Sequence, residues 1–363
     1  MTSNLARYTR AARPAKATRS SADAGGALML FAPATLALAA VLSLGIGPTS
    51  ISLGSLPAVF ASVTGIIPDA ASRAEVLVLF DLRLPRTLVA MFVGAALAVA
   101  GAMMQGMFRN PLADPGLIGV SAGAALFAIA TIALGDSVLA FWSAFLGIYA
   151  LPLAAFLGGL ATTLLLVIVA ARSGTLMMAT LLLAGIAFGA LAGALSGLIA
   201  YASDDRELRD LTLWSMGSLS GSSWEKVYAI LPFAIALAVF TPQMIRALNG
   251  LLLGEAEAYH LGINVEAAKR QIVMLTAAAV GAAVAVAGVI GFVGIVVPHV
   301  VRLIAGPDHR FVLPASAMLG AIIVVVADII ARTIVAPAEL PIGIVMAAIG
   351  APIFLHLVLR RGV

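Results

Sequence analysis

RLPRTLVAMFVGAALAVAGAMMQGMFRNPLADPGLIGVSAG, residues 83–123, holds an uncharged run from 87 to 108 bordered by arginines. At about 1.5 Å per residue that run crosses a hydrocarbon core of roughly 30 Å as a helix, so it reads as a membrane span. Asn110-Pro111 and then Asp114-Pro115-Gly116 follow it, residues that end helices. The chain therefore leaves one helix and re-enters an apolar stretch within a few residues.

Composition leads to the membrane independently. With 62% hydrophobic and 10% charged residues, the chain has too little polar surface to cover a soluble globule, whose chains run nearer a quarter charged. Cysteine is absent, which excludes disulfides, thiolate nucleophiles and cysteine-ligated metals. The three lysines are Lys16, Lys226 and Lys269, and none follows a glycine, so no Walker A phosphate loop can be written. No catalytic residue and no nucleotide site of that kind is legible.

Apolar stretches interrupted by Gly, Pro or charge give ten expected spans, at about 27–47, 87–108, 116–134, 148–170, 177–200, 227–246, 268–287, 290–304, 312–332 and 341–359. The fold expected is an all-α integral membrane protein: a basic N-terminal tail over 1–26, then a ten-span domain over 27–363. The boundary between spans seven and eight rests on Gly288, Gly291 and Gly294, which loosen a run too long for one helix. Residues 7–47 could also be read as a cleaved signal peptide. The long basic tail and the even span count favour a retained first helix.

An even count puts both termini on one face. That face collects 14 of the 21 cations and 6 of the 17 acids, so the positive-inside rule makes it cytoplasmic. The basic tail then suits anionic lipid rather than nucleic acid. Gly189, Gly193 and Gly197 make a GxxxGxxxG row in span five, which brings another helix close. The tetrapeptide AVAG at 98–101 and 285–288 hints at an inverted repeat of spans two to five and seven to ten.

Charge inside the spans is scarce. Asp328 is the one carboxylate well within a span, and Arg332 lies one helical turn on, which reads as a local ion pair. An ion-driven transporter with a carboxylate relay is thereby disfavoured. The four histidines, His260, His299, His309 and His356, are scattered, and no metal site is readable. The connection LNGLLLGEAEAYHLGINVEAAKR at 248–270 reads as two short helices broken at Gly254 and Gly262. Its Leu251, Leu252, Leu253, Leu261 and Ile263 are apolar where no bilayer covers them, and call for a protein partner. Lying on lipid is the rival reading, which Glu255, Glu257 and Glu266 oppose.

RLPR and RNPLADPG around span two, GFVGIVVPHVVR at 291–302, PDHR at 307–310, ADIIAR at 327–332 and ELPIGI at 339–344 occur in order between Leu82 and Arg360. Together they resemble the bacterial ABC import permeases for haem, ferric siderophores and cobalamin. That resemblance implies a cobalamin-importer-like (type II ABC importer) permease of the bacterial inner membrane, working as a homodimer. Two ATPase subunits carrying ATP and Mg would sit on the cytoplasmic side and one periplasmic substrate-binding protein outside. It implies binding-protein docking by Arg83, Arg86 and Arg332, an inner gate near Asn110, Leu112 and Met178, and ATPase coupling through Leu253, Gly254, Leu261 and Gly262. The outer mouth would fall in SDDRELRDLTLWSMGSLSGSSW, 203–224, with Arg209, Trp214, Met216 and Leu219. Its WSMGSLSGSSW wording is similar to haem permeases. A flat apolar surface with an arginine suits a porphyrin and its propionates, so haem is the substrate expected and a ferric siderophore the alternative.

Overall fold

The computed structural model describes residues 15–47, 52–67, 70–172 and 174–361. In chain order its helices are α1 (Ala15–Gly45), α2 (Leu56–Val63), α3 (Arg73–Val76), α4 (Leu84–Phe108), α5 (Val120–Leu134), α6 (Ala140–Leu146), α7 (Ala150–Ala170) and α8 (Met178–Ala202). They continue as α9 (Asp205–Ser215), α10 (Trp224–Leu253), α11 (Glu255–His260), α12 (Val265–Ala287), α13 (Val293–Ala305), α14 (His309–Thr333) and α15 (Ile342–Arg361). Seven of these stretches are long and apolar enough to cross a membrane, and α5, α13 and α15 are shorter apolar helices. The ten coincide in order with the ten expected spans. α1 starts at Ala15, well before position 27, so part of the expected tail is helical. Residues 1–14 of that tail lie outside the described residues.

Local chemistry sets the breaks. Arg109 closes α4 in the left-handed region (φ 50°), and the Asp114 carboxylate accepts the Gly116 N–H at 2.7 Å to open the next turn. α12 ends at Gly288 (φ 69°) and α13 begins after Phe292 (φ 68°), which places the uncertain boundary at 288–292. Gly294 is not part of that break. It packs inside the bundle.

α4 and α12 form the centre, and α1, α10, α13 and α14 wrap around them. Lipid tails are as apolar as leucine, so close backbone approach rather than hydrophobic driving force holds such helices together. Gly94 of α4 meets Gly320 of α14, Gly101 meets Gly294 of α13, and Gly123 of α5 meets Gly158 of α7; a Cβ at each would overlap the facing backbone. The row expected to do this behaves otherwise. Gly189, Gly193 and Gly197 have open space beside them, so within the described residues the row faces no helix of its own chain.

Helix contacts recur between the two halves, as any internal repeat requires: α5 with α7 matches α13 with α14, and α4 with α14 matches α12 with α7. The two AVAG copies nevertheless serve differently. Gly101 lies inside α4 against Gly294, whereas Gly288 caps α12 beside the Trp214 carbonyl.

Candidate functional site

The end of the bundle where α1 begins and α15 ends is built around α11. Gly254 (φ 125°) and Gly262 (φ 75°) flank this helix in conformations that side chains resist. Only one short helix forms there, because residues 248–253 continue α10. Leu251 is correspondingly buried, while Leu253, Tyr259 and Leu261 are exposed. Tyr259 also walls an open groove, with Gly262 and Glu266.

A polar chain ties α11 to the helices behind it. The buried Lys269 of α12 donates from Nζ to Glu255 of α11 at 2.6 Å and pairs with Glu266 at 3.6 Å. Glu266 Oε2 in turn accepts the N–H of Leu176, in the loop that opens α8, at 2.8 Å. Nothing in the sequence pairs Lys269 with a partner across the Gly262 break, so this link escaped sequence reasoning. Charge-assisted hydrogen bonds contribute about 1.5–3 kcal/mol. Lys269→Met is therefore expected to speed hydrogen–deuterium exchange of the α11 amides roughly tenfold while leaving the interior of α12 unchanged. Unaltered exchange in α11 would show that the lysine does not hold it.

Asn110 and Leu112 lie together in the turn after α4, where Asn110 Oδ1 accepts the Leu112 N–H at 2.9 Å, and both are exposed. Met178, half-buried, packs on the core at the start of α8. Turn and helix do converge, at a residue the sequence did not single out: Gly185 of α8 rests on the Leu117 carbonyl. Nearby, Gln105 donates to the carbonyls of Gly294 (3.2 Å) and Ile295 (3.1 Å) and accepts from Arg302, fastening α13 to α4. Asn249 joins α10 to α14, accepting the His309 N–H and donating to Asp308, each at 2.9 Å. Burial alone would raise the Asp308 pKa. The hydrogen bonds from Arg310 and Asn249 outweigh it and hold the carboxyl at about 2.

At the opposite end, α9 is capped by a reciprocal pair, Asp204 with Glu207, and carries Arg209 exposed. Trp214 is half-buried and Met216 exposed, but Leu219 is buried and cannot line an open mouth. The turn containing them is pinned to two spans: Ser218 N–H donates to the Ala287 carbonyl at 2.8 Å, and the Met216 carbonyl accepts the Gly343 N–H at 3.1 Å.

The three arginines expected on the surface form a largely interior network instead. Arg83 is buried and donates to the carbonyls of Leu44 (2.7 Å) and Gly45 (3.0 Å) at the end of α1. Arg332 is buried too, donating to the Ser43 carbonyl at 2.6 Å and hydroxyl at 2.9 Å. Arg86 grips Asp328 at 2.8–3.1 Å and reaches Glu339 at 2.8 Å. Asp328 thus has Arg86 as its principal partner, with Arg332 at 3.6 Å. An open rim of three arginines per chain is not what this structure presents; Arg86, paired with the partly exposed Glu339, stands nearest the surface.

The FecCD transport family model matches residues 35–360. The chain is 47% identical over 281 residues to the hemin transport system permease protein HmuU of Yersinia pestis, covering 77% of this chain and 83% of that one. It is 43% identical over 282 residues to the cobalamin import system permease protein BtuC of Halobacterium salinarum, covering 78% and 73%. A solved inward-facing structure of a metal-chelate type ABC transporter superposes with a TM-score of 0.80 at 33% identity, over 92% of this chain and 99% of that one. Ten apolar helices in the expected order, the ordered motifs and these likenesses converge on one conclusion: the chain is a multi-pass membrane protein and belongs to the FecCD transport family.

Proposed function

We propose that the chain is the permease subunit of an ATP-driven importer in a bacterial inner membrane, with both termini cytoplasmic. It works as a homodimer, with two ATPase subunits beneath and one periplasmic binding protein above. The observation that carries this reading is α11: a short helix fixed by two positive-φ glycines, exposing Leu253, Tyr259 and Leu261 beside a groove and tied by Lys269 to the base of α8. Such a surface offers an ATPase apolar contact, and the lysine link gives its movement a route toward the Asn110, Leu112 and Met178 region. ATP and Mg reside on the partner, and this chain performs no catalysis.

The substrate proposed is haem. Support comes from 47% identity to a hemin permease and from the exposed Arg209 and Met216 beside Trp214 at the periplasmic end. A ferric siderophore is the second reading, favoured by the metal-chelate transporter among the similar structures. Docking of the binding protein is assigned to Arg86, whose exchange of Glu339 for a partner carboxylate keeps a bidentate geometry within reach. Arg83 and Arg332 shape the shelf behind it.

Reconstitution with the partner ATPase and binding protein tests the reading: haem is expected to enter proteoliposomes only with ATP and the binding protein present. Gly262→Val places a side chain on φ 75° and is expected to leave the chain inserted while binding-protein-stimulated ATPase activity falls about tenfold or more. Full uptake and full stimulation in that variant would remove α11 from coupling. Binding of a siderophore but not haem by the cognate binding protein would replace the substrate.

A further inference from the structure

A cavity of about 640 Å³ opens between α1, α4, α10 and α14, walled by Phe92, Val99, Leu231, Pro242 and Pro314 among other apolar side chains. Prolines shape it. Pro242 in α10 and Pro314 in α14 both line the space, and a proline inside a helix kinks it and withholds an N–H from the carbonyl four residues back. For Pro242 that carbonyl belongs to Ala238, another wall residue. The hydroxyl of Thr241, also in the wall, is buried without a hydrogen-bond partner among the described residues. The groove is thus an apolar slot at membrane depth with an unsatisfied polar spot in one wall, where hydrocarbon alone leaves a cost.

Two rows of side chains lead out of it to charge. Ala238 and Pro242 are followed at the same four-residue spacing by Arg246, and Met318 and Pro314 lead back at that spacing to Arg310. Residues four apart share a helix face, so each arginine continues a row of groove-lining positions beyond the groove, toward the end of the bundle where α1 begins. Both are exposed. Arg310 spends one edge of its guanidinium on Asp308 at 2.8 Å, and among the described residues Arg246 makes a single long 3.4 Å contact, to the Leu261 carbonyl, which leaves donors on each. Thr241 lies five residues from Arg246, about 7.5 Å deeper along the helix axis, on the part of α10 that walls the groove.

We propose that this groove is a binding site for one anionic phospholipid, its acyl chain between α4, α10 and α14, its ester region at Thr241, and its phosphate between Arg246 and Arg310. The charge beyond the groove selects this occupant over a neutral lipid, because basic side chains at the membrane surface favour anionic headgroups. The site lies apart from the proposed gate and docking residues, and its test needs only this chain.

Native mass spectrometry of the purified protein with palmitoyl-oleoyl phosphatidylglycerol or phosphatidylethanolamine reads occupancy directly. The wild-type chain is expected to retain one phosphatidylglycerol through detergent washing and to prefer it over phosphatidylethanolamine. Ala238→Phe fills the slot and is expected to abolish retention of both lipids. Arg246→Gln with Arg310→Gln alters only exposed side chains and is expected to lower the preference for phosphatidylglycerol by about tenfold or more. Equal retention in Ala238→Phe and wild type would overturn the site. Unchanged preference in the double glutamine variant would overturn the anionic assignment.

Discussion

Gly101→Val is expected to yield no monodisperse protein. A Cβ at position 101 would overlap the carbonyl oxygen of Gly294, and the neighbouring atoms in its path are also Gly294 backbone. Overpacking by side chains costs about 1–3 kcal/mol because rotamers yield. Here no rotamer exists to yield, so α13 must move from α4 as a body and break the Gln105 hydrogen bonds to Gly294 and Ile295. Gly193→Ala supplies the control: beyond its own helix backbone, a Cβ there meets no atom of the described residues within 4 Å, and its elution profile and melting temperature should match those of the wild type. Fluorescence-detected size exclusion and a thermal melt in detergent separate the two. A well-behaved Gly101→Val protein would mean that the α4–α13 approach is looser than the structure has it.

Asp328→Ala is expected to cost about 3–5 kcal/mol, the loss that follows when one partner of a buried ion pair is removed. Asp328 is 1% exposed and answers Arg86 on α4 and Arg332 on its own helix. Without it, two guanidiniums share the interior with Arg83 close by, and Glu339 is the carboxylate left within reach. Glu339→Gln, at a partly exposed pair, should change stability by about 0–1 kcal/mol. Arg86→Met with Asp328→Leu should recover part of the loss, because removing both charges also removes the desolvation cost. The double-mutant cycle, read from thermal unfolding in detergent, gives the coupling. Equal melting temperatures for Asp328→Ala and wild type would place the carboxylate outside the network.

The spans were legible because hydropathy and Gly/Pro punctuation act locally: the residues that start and stop α4, α5 and α12 sit at the ends of those helices. Gly262 was legible for the same reason, as a breaker inside an amphipathic stretch. Partnership across the chain was not. Arg86 and Asp328 lie 242 residues apart, and a one-turn neighbour, Arg332, captured the reading instead. Glycine rows carry the same limit. A GxxxGxxxG row advertises packing, yet among the described residues it meets no helix of its own chain, while Gly94 and Gly101, without such a pattern, bear on facing backbones. Spacing reports that a helix face is small. It does not report what lies opposite. Burial at Leu219, Leu251, Arg83 and Arg332 was hidden likewise, since it depends on neighbours from distant elements.

The uneven distribution of backbone contact divides the molecule mechanically. α4 is riveted to α13 and α14 at Gly101 and Gly94, and with α12 makes a block that resists shear. α5, α7 and α8 form a second, smaller block, with α5 joined to α7 at Gly123 and Gly158 and α8 resting through Gly185 on the Leu117 carbonyl. Among the described residues α4 has no extensive contact with α5, and the two blocks share chiefly the seam of α7 with α12. That seam is made by side chains rather than by facing backbones: a Cβ at Gly281 of α12 would meet the Phe156 ring of α7 at 3.4 Å, ordinary van der Waals contact. The Glu266 hydrogen bond to Leu176 bridges the same divide, tying the start of α12 to the base of α8.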